Sequence, residues 1–156
     1  MRLAAFGAGL LTAIAVSACG YATAPTPATA FSLADGNYTL KIGGSGICGG
    51  VLGSSLEGSA PVIVTRSGTA WSVKPNQAGD SFAMSLTTDG AAAGSVRGDM
   101  SGVLTVDGGR VTSVGPVTGA NAGSTVGGPT SGVSFLAPSG LATSTCLSGT
   151  WTLSPR

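Results

Sequence analysis

No histidine occurs among the 156 residues, and this settles most of the catalytic chemistry open to the chain. Ser-His-Asp and Cys-His arrangements, His general bases and most zinc sites all need an imidazole. The acid–base groups that remain are six carboxylates, Asp35, Glu57, Asp80, Asp89, Asp99 and Asp107. A glycosidase needs two of them flanking one bond. Here they are scattered and most sit beside glycine, which marks turns. No loop gathers the several oxygens that calcium requires. Neither Ser-x-x-Lys nor Gly-x-Ser-x-Gly is present. The expectation is a protein that is not an enzyme, with no catalytic residue, no metal and no cofactor.

Three short runs match known motifs formally. Gly44-Ser45-Gly46-Ile47-Cys48-Gly49 fits Gly-x-Gly-x-x-Gly and follows an extended segment. No helix follows it, so there is no row of free amides or helix dipole for a pyrophosphate. It reads as a flexible glycine-rich loop around a cysteine. Arg97-Gly98-Asp99 is the integrin-ligand tripeptide, but Val96 and Met100 on either side look like a strand. Asn37-Tyr38-Thr39 is a glycosylation sequon inside an alternating run, and also reads as strand.

The N-terminus carries the most specific signal. Arg2 precedes an apolar stretch from Leu3 to Val16, and small residues follow. That is the layout of a secretory signal peptide. The stretch of about 14 residues is short of the ~20 that span a bilayer. Val16-Ser17-Ala18-Cys19 resembles the lipobox of bacterial lipoproteins: a branched apolar residue, two small residues and a cysteine. The resemblance implies cleavage before Cys19 and lipidation of its sulfur. The membrane is then a partner through that lipid, and the cell envelope is the location. Gly20 in place of Asp is permissive for transfer to an outer membrane. The alternative is an ordinary signal peptide, cut after Ala18 or near the stretch Ala22 to Ala30. Each buried methylene of an acyl chain stabilises attachment by ~0.8 kcal/mol.

With Cys19 assigned to lipid, Cys48 and Cys146 remain as a pair in an oxidising compartment, where a disulfide is expected. Cys48 lies just past the first predicted strand and Cys146 just before the last. If those strands pair antiparallel, the two cysteines meet, and two sheet edges are hidden.

Cleavage leaves 138 residues, enough for one domain, with six Lys/Arg against six Asp/Glu. Charged residues are 8% of the chain, where ~25% is ordinary. No basic patch is available to neutralise phosphates, which excludes nucleic acid as a partner. Residues 19–30, rich in Pro, Ala and Thr, read as a tether that cannot build a core. The domain occupies residues 31–156.

Within that domain every periodic signal is β. Tyr38, Leu40 and Ile42 alternate, as do Trp71 with Val73, then Phe82, Met84 and Leu86. Pro61 to Thr65, Val103 to Val106, Val111 to Val114, Ser131 to Leu136 and Gly149 to Leu153 add further runs. Asp107-Gly108, between two of them, predicts a two-residue hairpin. Seven to nine short strands at close spacing predict an all-β fold, an antiparallel sandwich or barrel. Residues 101–140 have the composition of a β-solenoid passenger but show no repeat period.

Trp71 and Trp151 stand in alternating strands, where a tryptophan is ordinarily core. Their other role would be contact with a small apolar ligand inside a barrel. Gly149-Thr150-Trp151 is similar to the Gly-x-Trp of lipocalin-like barrels over those three residues alone. The ends of the domain resemble bacterial envelope lipoproteins, through Tyr38-Thr39-Leu40 and a cysteine followed by Trp151-Thr152-Leu153, and imply no activity. The reading is a lipid-anchored, non-catalytic β-domain that binds an envelope protein or polymer. The alternative is a barrel-type carrier of a small apolar ligand.

Overall fold

The computed structural model describes residues 31–49, 51–89, 94–107, 109–113, 115–136 and 143–156. Cys19, the signal segment 1–18 and the tether 19–30 lie outside the described residues.

The described chain is all-β, in ten strands: β1 (Gly36–Cys48), β2 (Val51–Ser67), β3 (Ala70–Pro75), β4 (Ala83–Thr88), β5 (Ser95–Ser101), β6 (Val103–Val106), β7 (Gly109–Ser113), β8 (Gly115–Ala122), β9 (Thr125–Leu136) and β10 (Thr143–Pro155). Eight of them run β10-β1-β2-β3-β4-β5-β8-β9, and β9 pairs back to β10, so the sheet closes into an antiparallel barrel. The remaining two, β6 and β7, form a hairpin. Its innermost partners are Val106 and Gly109, which agrees with the predicted hairpin; Gly108 lies outside the described residues.

Gly36 aligns with Val64, Val73, Met84, Met100 and Gly115 in turn. Followed on through β9 and β10, the path re-enters β1 near Gly46, a stagger of about ten residues. Eight strands staggered in this way enclose an interior just wide enough for side chains to fill or for one small ligand.

Period-2 alternation puts the apolar set inside. Tyr38, Leu40 and Ile42 of β1 point inward, as do Val62 and Val64 of β2, Trp71 and Val73 of β3, Met84 and Leu86 of β4, and Trp151 and Leu153 of β10. All are buried in one hydrophobic cluster. Polar partners alternate outward, which is the pattern that fixes register.

The barrel has two mouths, and each is closed differently. The hairpin β6–β7 leaves β5 and returns to β8 at the upper end, where β1 finishes. There β7 pairs with the last part of β9, from Ser113 with Val133 to Arg110 with Leu136. Leu104, Val106 and Val111 are buried beneath the hairpin. Its far side is fixed to the barrel rim. The Phe82 N–H donates to the Val103 carbonyl and the Asp107 N–H to the Ser59 carbonyl. The Asp80 carboxylate accepts from both the Thr105 N–H, at 3.0 Å, and the Thr105 hydroxyl, at 2.7 Å. The free edge of β6 is thereby covered.

The lower mouth is closed by residues 31–35, which precede β1 and belong to no strand. Phe31 and Leu33 are buried in it.

The first and last strands pair along their length, from Tyr38 with Pro155 to Cys48 with Cys146. Cys48 and Cys146 are joined by a disulfide across that seam, Cα to Cα 4.1 Å. The bridge ties the end of β1 to the start of β10 at the upper rim of the barrel.

Candidate functional site

Trp71 and Trp151 occupy two different parts of the interior filling, the lower mouth and the body of the barrel. Trp71 lies in the lower mouth. Its indole N–H donates to the Leu33 carbonyl at 3.0 Å. The Phe31 ring packs against it in a T-shaped pair, centroids 4.8 Å apart and planes at 89°. The Arg66 guanidinium stands 5.5 Å from the Trp71 ring centroid, a cation–π distance. Trp151 is on β10 in the body of the barrel, and its N–H donates to the Thr118 carbonyl of β8 at 3.0 Å. Both indoles are buried with their one polar atom satisfied, the condition under which tryptophan packs well.

Inward-facing glycines mark where the interior would be hollow if nothing entered it. Each of four is occupied by a side chain from elsewhere. A Cβ on Gly119 would meet Trp151 Cζ2, one on Gly58 would meet Val106, one on Gly44 would meet Cys146 Sγ, and one on Gly149 would meet Val133. The glycines hold space for the tryptophan, the cap hairpin and the disulfide. Native interiors are close-packed in this way. Thr130 Oγ1, on β9, is the exception in polarity: it is buried and has no hydrogen-bond partner among the described residues.

Among the described residues, the outer surface includes the following two grooves. One, of about 500 Å³, lies on the face of β10, β1 and β2. Thr39, Lys41, Thr152 and Ser154 form its floor, and Glu57, Ser59 and Asp107 rise along one side. Strand alternation explains the floor, since these residues are the outward partners of the buried set. The wall comes from the turn of the β6–β7 hairpin, where Asp107 accepts from the Ser59 hydroxyl and donates its own N–H to the Ser59 carbonyl. Lys41 Nζ and Glu57 Oε2 pair at 2.9 Å, both exposed. Exposed pairs contribute little to stability, so these charges are available to a partner.

The second groove, of about 420 Å³, lies on β4, β5 and β8 and includes Arg97 and Asp99. Arg97-Gly98-Asp99 is the middle of β5, paired on one side with β4 and on the other with β8. It is held flat in the sheet rather than displayed on a loop. Gly44 to Cys48, expected as a flexible glycine-rich loop, is instead strand, paired throughout with β2 and in part with β10, and forms no phosphate-binding turn.

No group of three or more His, Cys, Asp or Glu capable of holding a metal occurs among the described residues. The sequence indicates Trp71, Trp151 and the cysteines, but not the groove at Lys41. Its wall joins residues 48 positions apart in the chain, and only the fold brings Asp107 to Ser59. The chain matches no family model, no curated protein and no solved structure.

Proposed function

We propose that this protein is a lipid-anchored domain of the cell envelope, tethered through Cys19, which binds a partner protein or polymer without catalysis. The observation that carries the binding mode is the filled barrel. Side chains on the strands and the cap occupy the interior, and four inward glycines are spaces already taken by Trp151, Val106, Cys146 and Val133. A partner is therefore met on the outside. The groove at Lys41, Glu57, Ser59 and Asp107 offers a floor and a wall, hydroxyl donors and an exposed ion pair. Cys19 supplies the membrane attachment in this reading, and Gly20 agrees with an outer membrane where the cell has one.

The test is site-specific photo-cross-linking in intact cells. A cross-linker at Ser59 should capture an envelope component, and one at Thr65, farther along β2 and exposed, should not. Equal capture at both positions would refute the groove as the binding site.

A carrier of a small apolar ligand is the second reading. The lower mouth favours it, because its filling comes from a segment outside the barrel strands.

A further inference from the structure

The two ends of the barrel differ in how their filling is held. The cap hairpin is part of the sheet: β7 is laddered to β9, and Asp80, Ser81 and Ser59 fix its far side. It cannot leave without breaking strand pairing. The lower mouth is filled by Phe31 and Leu33, from a segment that pairs with no strand. Among the described residues, three hydrogen bonds hold that segment: Trp71 N–H to the Leu33 carbonyl, Tyr38 O–H to the Ala34 carbonyl at 3.1 Å, and Arg66 N–H to Asp35 Oδ1 at 2.7 Å. Toward its N-terminus it continues directly into residues 19–30.

What Phe31 and Leu33 present to Trp71 has the form of a ligand. An aromatic ring packs against the indole in a T-shaped pair, and a carbonyl oxygen accepts the indole N–H. Resting on the carrier reading, we propose that residues 31–35 are a displaceable plug, and that the space beneath them is a binding site. Its ligand is a small apolar molecule with an aromatic or branched body and one hydrogen-bond acceptor. That molecule takes the positions of the Phe31 ring and the Leu33 carbonyl, and Trp71 reads both. The strands remain paired, so the barrel is unchanged when the plug leaves. Trp151 is not involved, because its N–H is committed to Thr118 inside the sheet.

The experiment uses the whole chain carrying Phe31→Ala and Leu33→Ala together, with the indole N–H signals of Trp71 and Trp151 followed by NMR. The probe is acetophenone, a ring with one carbonyl, and the comparison is ethylbenzene, of similar shape without an acceptor. Acetophenone should move the Trp71 signal and leave Trp151 in place. It should bind about five-fold more tightly than ethylbenzene, the usual worth of one neutral hydrogen bond. Movement of Trp151 instead of Trp71 would overturn the plug proposal and leave the carrier reading standing. No movement of either signal would overturn both.

Should the double variant not fold, the unaltered chain gives the same decision through hydrogen exchange. The Trp71 indole N–H, which the Leu33 carbonyl accepts, should exchange well before the amides of β1 and β10. Exchange of that N–H only together with the barrel strands would overturn the proposal.

Discussion

Gly119 and Trp151 share one space: a Cβ on Gly119 would stand 2.7 Å from Trp151 Cζ2 and 2.8 Å from the Gly127 carbonyl oxygen. The indole of β10 reaches across β9 to lie along β8, where the Thr118 carbonyl accepts its N–H. The largest side chain of the barrel body is thus accommodated by the smallest residue of a strand that it does not pair with.

Gly119→Ala should destabilise the fold by about 1–3 kcal/mol, the ordinary cost of overpacking a close-packed core. One of the two contacts is backbone, so rotation of the indole alone does not relieve it. Chemical denaturation measures the effect. A loss below about 0.5 kcal/mol would mean that the interior has slack around Trp151, contrary to the packing described.

Reduction of Cys48–Cys146 should lower the melting temperature without abolishing the fold. The bridge closes a loop with a sequence separation of 98, and the chain-entropy model gives ~4.7 kcal/mol for a loop of that size as an upper figure. The ladder from Tyr38 to Ser45 along β10 remains to hold the seam. Melting curves with and without a reductant provide the comparison. An unchanged melting temperature after verified reduction would contradict the role given to the bridge.

Thr130→Val should be neutral or stabilising, by up to about 1–2 kcal/mol. The Thr130 hydroxyl is buried without a partner among the described residues, so folding strips it of water and returns nothing. A methyl group in its place removes that cost. A clear loss of stability on substitution would show that the hydroxyl has a role in the folded protein.

How far the sequence foretells this architecture can be read from two strands. In β1, Tyr38, Leu40 and Ile42 alternate with polar residues, and that alternation alone identifies the strand. In β8, the sequence Gly-Pro-Val-Thr-Gly-Ala-Asn-Ala shows no alternation, and no strand is predicted there. Its inward positions, Gly115, Val117 and Gly119, are small because other strands fill the space in front of them. For Gly119 that filler is Trp151. The first half of β9 is hidden for the same reason, with Gly128 among its inward residues. A strand packed by its neighbours loses the pattern by which strands are recognised.

The disulfide and the pairing of first with last strand follow from local reasoning, because cysteine position relative to strand ends constrains the seam directly. Closure is not legible. Whether eight strands form a barrel or a sandwich depends on β9 finding β10, a register set by residues far apart in the chain. The lower plug is also out of reach. Phe31 and Leu33 look like the start of the domain, and nothing in their spacing names Trp71 as their partner.

The most direct test of the account is to fractionate cells expressing the unaltered chain and Cys19→Ala, and to weigh each protein by mass spectrometry. Acyl mass on Cys19 of the unaltered protein, found with the membranes, is the expected result. The variant should be released into the soluble fraction with the same melting temperature. An unacylated Cys19 together with a variant that still sediments with membranes would contradict it.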